Sequence, residues 1–300
     1  KKELKKNNKI SIFGGISIFI LIIFNYLFKD FTLINFYTLF FSFTLLALGF
    51  IDDIKNVSPT RRLIIQIIIG IFYLYSLNIL YLTDKYYINI IVYIFLLITI
   101  LATINAFNFI DGSDGLAAGI FLCSLINFIV IFNYINVVKD LELIFLLMIS
   151  TFIYILFNLG LFKFKIYLGN SGSIFLGFFL FSLFMEYLNI KTLIYFPLIF
   201  FPLLLIFINL FFVFIVRIIL KRNVFTADNL HIHHLLKLNN YNKYQILLFL
   251  NGSFLFGALL NSYIYFNFHQ ILYFTYNVVF CILYLSIHLV LMQKTNKDFY

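Results

Sequence analysis

Along the chain, long apolar runs alternate with short polar interruptions. Ten runs of roughly 18 residues or more stand out, at 10–28, 32–51, 63–82, 88–107, 115–136, 141–159, 172–190, 193–216, 244–263 and 270–292. Runs of this length predict membrane-spanning helices, because a helix satisfies its own backbone hydrogen bonds where no water can. A transmembrane β-barrel would instead show stretches of alternating polarity, and the sequence has none. The pattern predicts an all-α polytopic membrane protein of about ten transmembrane helices, with residues 1–300 forming one integral domain.

Lysine and arginine set the expected orientation. With "KKELKKNNK" in the cytoplasm, the loops near 52–62, 107–115, 160–171 and 217–243 and the tail lie there too. Of the 21 Lys and Arg, only Lys29, Lys85, Lys139 and Lys191 then fall outside, as the positive-inside rule expects. Both ends of this chain are expected in the cytoplasm, and 217–243 is the longest cytoplasmic loop.

Composition narrows the class. At 63% hydrophobic and 11% charged, a soluble domain is excluded. The net charge of +9 needs no nucleic-acid partner, because a basic cytoplasmic face meets anionic lipid and phosphate. Cys123 and Cys281 lie in separate predicted spans and support neither a disulfide framework nor a metal site. No internal repeat of the kind built into many transporters is evident.

Four polar clusters break this background, and all are expected to face the cytoplasm, three at the ends of spans and one in the longest loop. "GFIDDIKNVSPTRR" (49–62) places Asp52 and Asp53 side by side at a helix C-terminus, where the macrodipole disfavours negative charge. Paired carboxylates suit a hard cation such as Mg²⁺ or a general base, and equally a solvated helix end. Arg61 and Arg62 suit phosphate binding or anchoring at the headgroups. "NAFNFIDGSDGLAAG" (105–119) puts Asn105 and Asn108 one turn apart on a helix face, followed by Asp111 and Asp114 at the same step. It lacks the distal glutamate of a calcium loop and reads better as a lining for nucleotide and pyrophosphate. "KFKIYLGNSGSIFLG" (163–177) opens the seventh span, and its "GNSGS" is either an anion cradle at a helix N-terminus or a set of small residues for close helix approach. In "TADNLHIHHLLK" (226–237), His231 and His234 share a predicted helix face with Asp228 a turn earlier. Without a fourth ligand, zinc is a weaker use of these histidines than phosphate or sugar oxygens.

Taken in order, these motifs resemble the polyprenyl-phosphate N-acetylhexosamine-1-phosphate transferases. "IDDIKNVSPTRRLIIQ" is similar to the family's paired-aspartate loop, "NAFNFIDGSDGLAAG" to its Asn- and Asp-rich segment, "YLGNSGSIFLG" to its Gly-Asp-Ser-Gly segment and "HIHHLL" to its histidine loop. "GGISIF" (14–19) resembles the start of the family's second helix, which implies a further N-terminal helix ahead of residue 1. The resemblance implies transfer of a sugar-1-phosphate from a UDP-N-acetylhexosamine to undecaprenyl or another polyprenyl phosphate, with UMP released. This would be the first membrane step of an envelope glycan, in the O-antigen or teichoic acid branch, at a bacterial inner membrane. It implies Mg²⁺, with Mn²⁺ as a substitute, and leaves room for a homodimer.

The resemblance also implies roles. Asp52, Asp53 and Asp111 would be catalytic, and Asp52, Asp53 and Asn170 would hold the metal. Asn105, Asn108, Asp114, Arg61, Arg62, His231, His233 and His234 would bind substrate. Three departures stand against this pattern. Asn170 occupies the position of a family Asp, Ser113 that of a usual Leu, and "KNNKISIFGG" matches its counterpart poorly. Asn170 keeps open a second function, a relative that binds UDP-sugar or lipid phosphate without turnover. A transporter is disfavoured, because the charged groups gather at one face rather than at mid-membrane.

Overall fold

The computed structural model describes residues 13–28, 34–81, 84–134, 141–187, 196–221 and 230–295. These form eleven α-helices: α1 (Gly14–Phe28), α2 (Phe36–Lys55), α3 (Pro59–Ser76), α4 (Tyr86–Ile110), α5 (Leu116–Tyr134), α6 (Leu141–Asn158), α7 (Gly169–Tyr187), α8 (Phe196–Ile219), the short α9 (Ile232–Leu238), α10 (Lys243–Asn267) and α11 (Gln270–Thr295). Among the described residues, α2, α4, α5, α6, α10 and α11 are each long and apolar enough to cross a membrane. The protein is an all-helical, multi-pass membrane protein. Asp30, Asp140, Lys29, Lys139, Lys191 and Asp228 lie outside the described residues.

Every long helix coincides with an apolar run, but several boundaries move into the polar motifs. Helix α2 continues past 51 to include Asp52 and Asp53, α4 continues past 107 to Ile110, and α7 begins at Gly169 rather than 172. The polar side chains find partners on neighbouring helices, so the backbone has no need to unwind toward water. Local signals fix several ends. Asn35 caps α2 by accepting from the Thr38 N–H at 2.8 Å, and Asn56 closes it with a left-handed φ of 51°. Pro59 opens α3, and Asn242 with Gln245 forms a capping box on α10.

Helix α7 is the axis of the bundle, packed against α1, α2, α4 and α5. Its residues from Ser171 to Phe184 are buried on every side, with Phe175, Phe178 and Phe179 among the largest. Small residues let its neighbours come close. A Cβ on Gly15 would overlap the Gly172 Cα, and one on Gly49 would lie 2.5 Å from the Ser171 Cα. This is the close-approach use of the "GNSGS" glycines, which stabilises helix pairs in lipid through dispersion contacts rather than through release of water. The outer helices carry their large side chains outward, as at Ile64, Ile68 and Phe72 on α3 and Ile271, Phe274 and Ile282 on α11. Such faces match a lipid environment.

Candidate active site

At one end of the bundle the C-termini of α2 and α4 meet the N-termini of α3, α5 and α7, with α9 beside them. All four polar motifs converge there. Asp52 is buried, and its Oδ2 accepts two hydrogen bonds, from Arg62 Nη1 at 2.8 Å and from Asn170 Nδ2 at 2.8 Å. Asp53 Oδ1 accepts from the Asn170 backbone N–H at 2.9 Å, and Oδ2 from that of Ser171 at 3.0 Å. The anion cradle at the start of α7 is therefore filled from within the chain. The α7 dipole offsets the penalty that Asp53 incurs at the C-terminus of α2. Arg61, next to the paired Arg62, is exposed.

The α4–α5 turn faces this pair across α7. Asn105 donates from Nδ2 to Gln66 Oε1 on α3 at 2.9 Å and to the Leu101 carbonyl at 2.8 Å. Asn108 Oδ1 accepts from Ser173 Oγ on α7 at 3.1 Å. The two asparagines thus share a helix face but reach different neighbours. Asp111 caps α4, its N–H donating to the Phe107 carbonyl at 3.1 Å. Asp114 Oδ2 lies 2.7 Å from Lys165 Nζ and 3.9 Å from Lys243 Nζ. Burial pulls the Lys165 ammonium down, but its bond to Asp114 and the nearby Tyr167 outweigh this and leave it above the ordinary lysine value. Gly115, at φ 74°, reverses the chain, and its N–H donates to Asn158 Oδ1 on α6 at 2.5 Å.

The histidine segment closes the site from the side. His231 lies ahead of α9 as its N-cap residue, and its carbonyl accepts from the His234 N–H at 2.9 Å. Its extended backbone turns the ring onto Phe109, with centroids 5.2 Å apart. His233 is buried with its ring against Gly112, and neither ring nitrogen has a hydrogen-bond partner among the described residues. Burial, reinforced by His234, His231 and His288, holds the His233 ring well below the ordinary histidine range and therefore neutral at pH 7. His234 is half-buried, its ring centroid 4.1 Å from that of His233. A cavity of about 20 Å³ adjoins His233, lined also by Asn209, Ser253 and Tyr284.

Sequence reasoning missed several of the partners. Gln66, Asn158 and Lys165 each bond a motif residue. His288 Nε2 lies 2.8 Å from the carbonyl of Leu230, at the root of the histidine segment. The signal for Gln66 and His288 was present in the sequence, as a lone polar residue inside an apolar run.

The residues expected to hold magnesium do come together, but their donor set does not suit it. Mg²⁺ demands oxygen lone pairs in near-octahedral array. Here three of the four carboxylate oxygens of Asp52 and Asp53 accept N–H donors, and Asn170 presents its amide nitrogen to Asp52.

A multi-pass helical protein with carboxylates, amides, cations and histidines gathered at one end of its bundle defines a class: a membrane protein with a polar site at one end of its helices. The chain belongs to glycosyl transferase family 4, whose family model matches residues 35–188. It is similar to the undecaprenyl-phosphate alpha-N-acetylglucosaminyl 1-phosphate transferase of Yersinia pestis, 33% identical over 180 residues that cover 56% of this chain and 49% of that protein. A probable undecaprenyl-phosphate N-acetylglucosaminyl 1-phosphate transferase of Bacillus subtilis is 27% identical over 201 residues, 64% of this chain and 55% of that protein. The chain thus spans about half the length of these two relatives. The undecaprenyl-phosphate alpha-N-acetylglucosaminyl 1-phosphate transferase of Thermotoga maritima is 28% identical over 277 residues, 90% of this chain and 81% of that protein.

Proposed function

We propose that the chain transfers N-acetylhexosamine 1-phosphate from a UDP-sugar to undecaprenyl phosphate or a similar polyprenyl phosphate. An oxygen of the lipid phosphate attacks the β-phosphorus, a new P–O–P bond forms, and the bond to the bridging oxygen breaks. UMP leaves with that electron pair. The observation that carries this reading is the convergence of four sequence-distant motifs at one end of the bundle, where Asp52 and Asn170 lie 2.8 Å apart despite their separation in the chain.

In this reading the site faces the cytoplasm of a bacterial inner membrane, ten helices span the bilayer, and both ends of this chain lie inside. Asp52, Asp53 and Asp111 handle proton and charge at the attacking phosphate, which is largely ionised at neutral pH and needs no strong base. Arg61 and Arg62 meet the phosphates, Asn105, Asn108 and Asp114 the nucleotide, and His231, His233 and His234 the phosphosugar. A neutral His233 suits acceptance of a hydroxyl proton better than pairing with phosphate. The product would feed an envelope glycan, with the O-antigen and teichoic acid branches as candidates.

The test is UMP release by the detergent-purified chain with undecaprenyl phosphate and UDP-N-acetylglucosamine, run with and without added Mg²⁺. The expected result is UMP and lipid-diphosphate-sugar in equal amounts, abolished by Asp111→Asn. Absence of UMP release from every UDP-N-acetylhexosamine tried would overturn the proposal. A second reading, a relative that binds UDP-sugar or lipid phosphate without turnover, is favoured by the direct Asn170–Asp52 bond. It requires retained UDP-sugar binding with no UMP from the natural chain, and turnover in Asn170→Asp.

A further inference from the structure

We infer that Asn170 and Arg62 take the place of a divalent cation at the Asp52–Asp53 pair, so that this chain keeps its paired carboxylates without binding magnesium or manganese there. The inference concerns the same site as the transferase reading, and its test requires no turnover.

A buried carboxylate beside a half-buried one needs compensation, and a metal ion is one source. Here the compensation is covalently part of the chain. Arg62 brings a full positive charge to Asp52 Oδ2 at 2.8 Å, with its side chain only 14% exposed. The Asn170 amide brings a second N–H to the same oxygen, also at 2.8 Å. The first turn of α7 brings two backbone N–H groups to Asp53, at 2.9 and 3.0 Å. Counting two carboxylates and one guanidinium, with the α7 N-terminus offsetting the α2 C-terminus, leaves the pair near about −1 with no ion.

Residue 170 decides this balance. A carboxylate there would place its oxygen beside Asp52 Oδ2, where the amide nitrogen now donates. The local charge would then fall to about −2, and the repulsion would demand a cation or a shared proton. An amide reverses the sign of the contact, from repulsion needing an ion to a hydrogen bond needing none. A dication approaching Asp52 Oδ2 in the natural site would meet the Arg62 guanidinium and the Asn170 amide nitrogen there rather than a third carboxylate.

The experiment measures Mn²⁺ binding by electron paramagnetic resonance, with Mn²⁺ alone as probe and neither nucleotide nor lipid present. The natural chain is expected to bind Mn²⁺ at this pair at least about tenfold more weakly than Asn170→Asp, a factor worth about 1.4 kcal/mol. EDTA should leave the unfolding temperature of the natural chain unchanged and lower that of Asn170→Asp. Should Asn170→Asp fail to fold, Arg62→Met serves instead. It removes the built-in cation, lowers the charge to about the same value, and should likewise strengthen Mn²⁺ binding. Tight binding of one Mn²⁺ by the natural chain, or affinities unaltered in the folded variants, would overturn the inference. Neither result depends on UMP release, so the transferase reading stands or falls separately.

Discussion

His233 lies so close over Gly112 that a methyl group added at Gly112 would overlap its Nε2. The histidine segment is therefore seated on the backbone of the turn between Asp111 and Asp114. Gly112→Ala should push the ring out of its seat, lowering stability by about 1–3 kcal/mol, as overpacking does elsewhere. The cost should shrink by more than about 1 kcal/mol when His233 is also changed to Ala, since contacting residues couple. Thermal unfolding of both single variants and the double variant checks this, and additive costs would show that the contact carries no strain.

His233 also makes stability depend on pH. Burial keeps the folded ring neutral to lower pH than the unfolded one. Between the two titrations the unfolded chain binds a proton that the folded chain does not, so stability held above about pH 6.5 is lost as pH falls. The groups around the ring are His231, His234 and His288, with Asp111 next to Gly112 and Asp114 two residues on. The unfolding temperature should drop between about pH 7.5 and 5.5, and drop less in His233→Gln. An identical slope in the variant would assign the effect to other groups.

His288 should behave as the anchor of the histidine segment. Its Nε2 bonds the Leu230 carbonyl at 2.8 Å, and its ring packs on Phe212 with centroids 3.9 Å apart. His288→Leu removes that bond to a buried carbonyl, at a cost of about 1–3 kcal/mol. Amide exchange should speed up over residues 230–238 and stay unchanged in α7. Equal acceleration in α7 would make His288 a global prop instead.

Two helix glycines should respond in opposite directions to alanine. At Gly49 the new Cβ would meet the α7 backbone, 2.5 Å from the Ser171 Cα, so Gly49→Ala should cost several kcal/mol or prevent folding. At Gly252 nothing lies within 4 Å, and Gly252→Ala should stabilise α10 by up to about 1 kcal/mol. Detergent-resistant folding yield and unfolding temperature separate the two.

The apolar runs made the helices legible, because span length is set by the bilayer and every long helix follows one. The polar ends were legible only in part. Adjacent residues such as Asp52 and Asp53 announce a site by their cost in that setting. The route by which Asp53 is neutralised runs through α7, whose sequence motif lies far away, and no local pattern carries that pairing. Asn105 and Asn108 show the same limit. Their spacing puts them on one face, but whether they meet ligand, Gln66 or Ser173 depends on which helices pack alongside. Lys165 lies within the third polar cluster, but nothing in that stretch identifies Asp114 as its partner.

Asn158 joins two loops through a single side chain. Its Oδ1 receives the Gly115 N–H from the α4–α5 turn at 2.5 Å, and its Nδ2 donates to the Ile166 carbonyl between α6 and α7 at 2.8 Å. Riveted in this way, the two loops share one mechanical degree of freedom: whatever stiffens the aspartate turn also stiffens the approach to α7, and loosening either one slackens both.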